Sequence, residues 1–228
     1  MLKKGYFSKG EWVLWGASVS LILVSFFLFD RVNFLTLAAS LIGVTSLIFN
    51  AKGNPFGQIL MIVFSLLYGV ISYSFRYYGE MITYLGMTLP MSVIALISWL
   101  KNPYQGRKAE VKVNRIGKAE YWFALLLTLL VTIVFYWILK YFHTANLLPS
   151  TLSVTTSFLA VYLTFRRSSF YAIAYAANDL VLIILWILAA SHDGSYLSVV
   201  SCFLAFLAND LYGFISWRMM EKRQAEGR

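Results

Sequence analysis

Charge is scarce in this chain: Asp, Glu, Lys and Arg make up 13% of its 228 residues, against about 25% in a typical soluble domain. Cysteine is nearly missing. The one thiol, Cys202, forbids an internal disulfide and reads as a small buried apolar residue. Histidine is almost as rare, and His143 and His192 fall in expected loops without Cys or acidic partners at ligand spacing, so no metal site is expected. There is no G-x-x-x-x-G-K-[ST] element and no soluble domain to hold a nucleotide; no cofactor is expected and ATP-driven work is excluded.

What fills the chain instead is apolar, at 60% of residues with 18% aromatic. A membrane span needs roughly 20 apolar residues to cross about 30 Å of hydrocarbon. Eight uncharged runs of that length can be read, at 11–29, 32–50, 55–76, 81–100, 120–141, 146–165, 169–190 and 195–218. The expected fold is an all-α polytopic membrane protein with eight transmembrane helices. Short connections such as "NAKGNPF", "RYYGEM" and "SHDGSY" carry turn formers and make consecutive helices antiparallel neighbours. The first run follows Lys3, Lys4 and Lys9 but is longer than a signal core and ends without a small-x-small cleavage site, so it reads as a retained span.

Basic loop residues resist translocation, so their distribution sets orientation. With eight spans both termini share one side, which collects Lys3, Lys4, Lys9, Lys52, Lys101, Arg107, Lys108, Lys112, Arg115, Lys118, Arg166, Arg167, Arg218, Lys222, Arg223 and Arg228. Only Arg31, Arg76 and Lys140 lie opposite. Both termini are therefore expected in the cytoplasm. The net charge of +9 is explained without a nucleic-acid partner.

The spans also pair across the chain. "ALISWLKNP" closes the fourth and "GFISWRMME" the eighth, and Phe56 to Phe170, Gly79 to Gly194 and Trp99 to Trp217 keep offsets of 114, 115 and 118. Together these landmarks indicate a three-helix unit at 31–100 repeated at 143–218. An N-terminal extra helix (1–30) precedes them, a basic loop (101–118) and a connecting helix (119–142) join them, and a cytoplasmic tail (219–228) follows. One connecting span makes the units parallel, a 3+1+3 arrangement used by transporters that hold substrate near the midplane. Chance likeness among hydrophobic helices is the rival account.

"ANDL" occurs twice, as Ala177-Asn178-Asp179-Leu180 and Ala208-Asn209-Asp210-Leu211, each time deep in an apolar run. An Asp at mid-bilayer costs roughly 2.5 to 3.5 kcal/mol on insertion scales, so each must be paired, protonated or facing a wet cavity. Asp179 lies about 11 residues from the basic end of its helix and Asp210 about 8, or roughly 16 and 12 Å. The two can meet each other or a common ligand. Tyr171, Tyr175, Asn178, Asp179, Leu182 and Trp186 follow helical steps down one stripe, and Phe203, Phe206, Asn209, Asp210, Tyr212, Gly213 and Trp217 do much the same. Rings with amides and carboxylates between them suit a flat, polar, cationic small molecule.

The first unit offers Gln58, Tyr68, Tyr73, Tyr77 and Tyr84, with Pro90 freeing a carbonyl beside a cavity or merely kinking a packed helix. Against a binding role, intramembrane Asn can simply bond helices together. Trp99, Trp217, Tyr77 and Tyr78 sit where interfacial belts form. An acid-base dyad for intramembrane peptide hydrolysis is a further alternative for the two aspartates. It leaves the Asn neighbours without a task, and no Gly flanks either Asp.

The run "GNPFGQILMIVFSLLYGVISYSFRYYGEMITYLGMTLPMSVIALISW", with "YAANDLVLIILW" and "NDLYGFISW", resembles the PnuC family of bacterial nicotinamide riboside transporters over about 50–218. The resemblance implies a three-plus-one-plus-three (SWEET-like) bundle, often with an extra N-terminal helix. It also implies facilitated diffusion of the vitamin across a lipid bilayer, trapped by a cytoplasmic riboside kinase for NAD synthesis. Asn178 and Asn209 are the implied hydrogen-bonders of substrate, with Tyr212 and Trp217 in the last helix's motif. Other members place tryptophans seven and four residues before the asparagine, where this chain has Tyr171 and Ala174. Tyr171, Tyr175 or Trp186 would then supply the stacking. The family overlaps carriers of thiamine, riboflavin and nucleosides, and proton coupling through Asp179 or Asp210 is a further alternative. A homo-oligomer is left open.

Overall fold

The computed structural model describes residues 6–74, 78–144 and 146–227. Tyr77, Arg76, Lys3, Lys4 and Arg228, singled out above, lie outside the described residues. Among the described residues eight helices are long and apolar enough to cross a membrane: α1 (Lys9–Asp30), α2 (Phe34–Ala51), α3 (Phe56–Ser74), α4 (Tyr78–Lys101), α5 (Lys118–Tyr141), α6 (Leu147–Phe165), α7 (Tyr171–Ala190) and α8 (Gly194–Glu226).

Helix boundaries follow local chemistry. Ser8 caps α1 in a reciprocal box with Glu11, satisfying backbone donors that have no helical partner. Gly53 ends the turn after α2 at φ +65°, a left-handed conformation that glycine adopts at no steric cost. Within α4, residues Tyr84–Thr88 form a π-turn immediately before Pro90. The ring of Pro90 removes a donor and crowds the preceding turn, and the extra residue absorbs the mismatch.

Six helices close a ring in the order α2, α3, α4, α6, α7, α8. Helix α1 packs outside it on α2 and α8, and α5 on α6. The rungs between α1 and α8 are polar: Tyr212 Oη donates to Glu11 (2.8 Å), Asn209 Nδ2 to Ser18 Oγ (2.8 Å) and Ser25 Oγ to Ser201 Oγ (2.8 Å). Glu11 also meets Lys52 at 3.0 Å, so its buried charge is compensated. Helix α5 turns Trp122, Leu126 and Trp137 outward, where lipid rather than protein covers them.

At the terminus-bearing ends the helices bond reciprocally. Trp99 Nε1 of α4 donates to Thr164 O of α6 (2.9 Å), and Trp217 Nε1 of α8 to Asn50 O of α2 (2.8 Å). Ser98 and Ser216 hydroxyls do the same to Phe165 O (2.9 Å) and Ala51 O (2.7 Å). The two indoles meet between the pairs, ring centroids 5.3 Å apart. Both are fully buried at 0% exposure, so the expected interfacial belt role for Trp99 and Trp217 is corrected: their N–H groups satisfy helix-end carbonyls inside the bundle.

Two segments differ from the sequence expectation. The basic loop contains a hairpin of β1 (Pro103–Tyr104) and β2 (Arg107–Val111), antiparallel. Its strand continues across both helix turns, Val111 N–H donating to Gly53 O and Asn114 N–H to Arg167 O, each at 2.9 Å. The expected tail is the last two turns of α8, held because Gln224 brackets the hairpin through Val113 N–H (2.8 Å) and Val111 O (3.0 Å). Charge hid this docking, since a polar helix end reads as a solvated tail. Replacing Trp99 or Trp217 by Phe removes the donor and part of a buried ring; Thr164 O and Asn50 O keep their turn bonds from Arg167 N–H (3.0 Å) and Gly53 N–H (2.9 Å), so the lost hydrogen bond costs about 1 kcal/mol. Thermal unfolding in detergent should show a lowered midpoint for each; unchanged midpoints would mean the reciprocal bonds contribute nothing.

Candidate functional site

Every helix of the ring contributes to one central cavity of about 40 Å³. Leu47 comes from α2, Met61 and Phe64 from α3, Tyr84 and Thr88 from α4, and Ser157 from α6. Helix α7 supplies Tyr175, Asn178, Asp179 and Leu182, and α8 supplies Phe203, Phe206 and Asp210. A space of this size holds one or two waters, well below the ~300 Å³ at which ligand pockets begin. This is a closed state.

Asn178 is oriented from behind. Its carbonyl oxygen is surrounded by three α6 hydroxyls, Thr156 at 2.8 Å, Ser157 at 3.0 Å and Ser153 at 3.4 Å. With the acceptor engaged, its NH2 is the group left to donate into the cavity. Asp179 and Asp210, on antiparallel neighbours, bring their carboxyl groups together at the same depth. Both are 3% exposed, and Asp179 Oδ2 is buried without a hydrogen-bond partner. Among the described residues no Lys, Arg or His pairs with either carboxyl. A buried carboxyl pair without a cation is costly, and a cation entering the cavity would offset that cost.

Aromatic layers close the cavity on both sides. Toward the termini, Tyr171 meets Trp217 at 4.8 Å. Toward the opposite face, Tyr68 packs on Tyr84 (4.6 Å), Phe203 (6.3 Å) and Trp186 (6.4 Å). Beyond that layer lies a vestibule of about 340 Å³, lined by Glu80, Trp186, Asp193 and Tyr196 among others. Trp186 and Tyr196 stack at 5.4 Å. Ser195 N–H donates to Asp193 Oδ1 (2.9 Å), which holds that carboxyl below its usual range.

Of the residues expected at a site, Tyr175, Asn178, Asp179 and Asp210 meet at the cavity. Tyr171, Tyr68 and Trp186 form the closing layers. Asn209 faces away, its Nδ2 donating to Ser18 Oγ and Ala205 O: it lies about 100° round the helix from Asp210, on the side that α1 covers. Tyr212 is turned to Glu11 for the same reason. Gln58 is engaged at the α2–α3 turn, donating to Asn50 Oδ1 at 2.9 Å. Of the other first-unit aromatics, Tyr84 lines the cavity and Tyr73 lies exposed.

The sequence reading missed Thr88, the α6 hydroxyls and Glu80. The hydroxyl spacing Ser153, Thr156, Ser157 is a helical stripe that could have revealed the Asn178 cradle. Glu80 sits one residue before the run as drawn at 81–100, yet it is 7% exposed within α4.

A small cavity holding two carboxyls within a ring of membrane-length helices fits a polytopic membrane transporter. The profile of the family described as "Nicotinamide mononucleotide transporter" matches residues 33–219, and the chain belongs to that family, that of PnuC. It is 25% identical over 206 residues to the nicotinamide riboside transporter PnuC of Neisseria mucosa, covering 87% of this chain and 77% of that relative. Its fold is similar to that in a crystal structure of the vitamin B3 transporter PnuC, with a TM-score of 0.84 at 23% identity over 97% of this chain and 95% of the other. The hydrolytic alternative for the aspartates falls, since the family is one of transporters.

The placement of the two asparagines gives opposite expectations. Asn209→Ala should loosen α1 from α8, lowering thermal stability by about 1 kcal/mol while leaving ligand binding within a few-fold. Asn178→Ala should abolish detectable ligand binding; equal binding losses in both variants would show that the cavity geometry does not separate their roles.

Proposed function

We propose that the protein carries nicotinamide riboside across the bacterial cell membrane by facilitated diffusion, both termini in the cytoplasm, with phosphorylation by a riboside kinase trapping the product. One observation carries the reading: the Asp179–Asp210 carboxyl pair has no counter-ion among the described residues and faces a cavity walled by aromatic rings. Nicotinamide riboside brings a positive ring to those carboxyls, and its carboxamide presents an acceptor to the Asn178 NH2. Tyr175, Tyr84 and Phe206 supply faces for the ring, in place of the tryptophan pair absent here. The related riboside transporter of Neisseria mucosa supports the substrate class.

Transport then requires the closed cavity to open to each side in turn. The exposed carboxylate of Asp193 would concentrate the cation at the vestibule entrance. A parallel repeat of α2–α4 and α6–α8 would allow such a cycle, and the reciprocal Trp99 and Trp217 bonds support that reading. Asn209, Tyr212 and Gln58 would act on substrate indirectly, by fixing the helices that carry the cavity. The facing carboxyls also favour one second reading, symport of the riboside with a proton.

Uptake of labelled riboside into liposomes holding only this protein, without an ion gradient, tests the proposal. Accumulation to the external concentration and no further is expected, with an imposed pH gradient leaving the rate unchanged; a rate that follows the gradient would replace uniport by proton symport, and uptake no faster than in empty vesicles would end the carrier reading. Asp179→Asn and Asp210→Asn should each weaken binding of the cationic riboside about tenfold and an uncharged nucleoside far less. Thiamine, also cationic, is the informative competitor.

A further inference from the structure

The largest space among the described pockets is not the central one. A pocket of about 550 Å³ lies at the terminus-bearing face, outside the helix ring and beneath the extension of α8. Its walls include Asn102 at the end of α4, Lys112, Asn114 and Arg115 from the connector, Arg167 from the α6–α7 turn, and Glu221 of α8. Three cations thus face one carboxylate. That carboxylate is already committed, to Arg115 and Arg218 at 2.8 Å each and to the Ser169 hydroxyl at 2.8 Å. Among the described residues neither Lys112 nor Arg167 has an acidic partner.

Arg167 is placed at a cost. It holds φ +57°, whereas the matching turn after α2 uses Gly53 at φ +65°, so an arginine stands where backbone geometry favours glycine. Its Nη1 reaches Ser98 Oγ at 3.2 Å, but its Nε is buried without a hydrogen-bond partner. The guanidinium lines the open space, and among the described residues no carboxylate neutralises it. The surrounding backbone is pinned, Asn114 N–H to Arg167 O at 2.9 Å and Lys112 N–H to Asn102 O at 2.8 Å, so the cations converge on a built wall.

We propose that this pocket binds a phosphate monoester, with the Arg167 guanidinium and the Lys112 ammonium on its oxygens and the amides of Asn102 and Asn114 on the remainder of the ligand. A monoester dianion balances the two unpaired cations, and a planar guanidinium beside a point ammonium is a recurrent phosphate-binding combination. The volume admits a whole nucleotide. The pocket lies on the side that charge bias assigns to the cytoplasm, where soluble nucleotides and phosphatidic acid headgroups both present this group. The site is separate from the transport cavity and does not depend on which vitamin is carried.

The test uses the full chain in phosphatidylcholine nanodiscs, titrated with inorganic phosphate, adenosine monophosphate and adenosine. Saturable binding of the first two, with a rise in melting temperature and no binding of adenosine, is expected. Lys112→Ala and Arg167→Gly, the latter retaining the turn, should each weaken both probes about tenfold while riboside uptake is unchanged. Discs containing phosphatidic acid separate the sources: weakened apparent affinity for the soluble probes means that the headgroup occupies the same pocket, and unchanged affinity means that free nucleotides are the ligand. Absence of saturable binding by both phosphate probes in phosphatidylcholine discs overturns the proposal, as does binding that both variants retain at full strength. Riboside uptake is read separately, so failure of the carrier reading leaves this result interpretable.

Discussion

Two carboxyl groups placed together at the depth of the hydrocarbon core, without a cation beside them among the described residues, are the constraint around which this molecule is arranged. Burying Asp179 and Asp210 is costly unless something compensates, and lipid offers nothing. The six-helix ring answers by turning both side chains inward to a small polar space and sealing that space with rings above and below. On the proposed reading the missing charge is the substrate itself, which makes occupancy favourable without a strongly attractive empty site for other solutes.

The remaining polar groups are divided between holding the helices and leaving the cavity free. Asn209, Tyr212 and Glu11 fasten α1 to the outside of the ring, and Gln58 with Asn50 fastens the α2–α3 turn. Asn178 differs because α6 presents hydroxyls to its oxygen alone. At the terminus-bearing face, Trp99 and Trp217 tie each triplet to the first helix of the other, and the connector strand ties both turns together. That face is cross-braced by hydrogen bonds, and aromatic contacts around Tyr68 and Trp186 close the opposite face. On the proposed reading, opening toward the termini must break those buried hydrogen bonds.

The helix count and most boundaries were legible because hydrophobic run length is a direct physical requirement of the bilayer, and the observed ends differ by at most three residues except at the close of α8. The two aspartates were legible for the same reason, as costs the chain would not otherwise bear. Rotation about the helix axis was harder. The stripe through Tyr175, Asn178, Asp179 and Leu182 was readable, but the like-looking stripe through Asn209 and Tyr212 splits, because α1 offers Ser18 and Glu11 as competing partners and nothing local to α8 announces them. The docked end of α8 escaped because its bonds run between residues more than a hundred positions apart, such as Gln224 and Val113, and the connector strand because its partners at Gly53 and Arg167 lie on distant helix turns.

The most direct measurement is a structure of the protein with nicotinamide riboside bound. The account predicts a cavity expanded between the aromatic layers, the positive ring within ion-pair reach of Asp179 and Asp210, and the carboxamide oxygen on Asn178 Nδ2. A riboside seated elsewhere while the two carboxyls remain face to face in a closed cavity would contradict it.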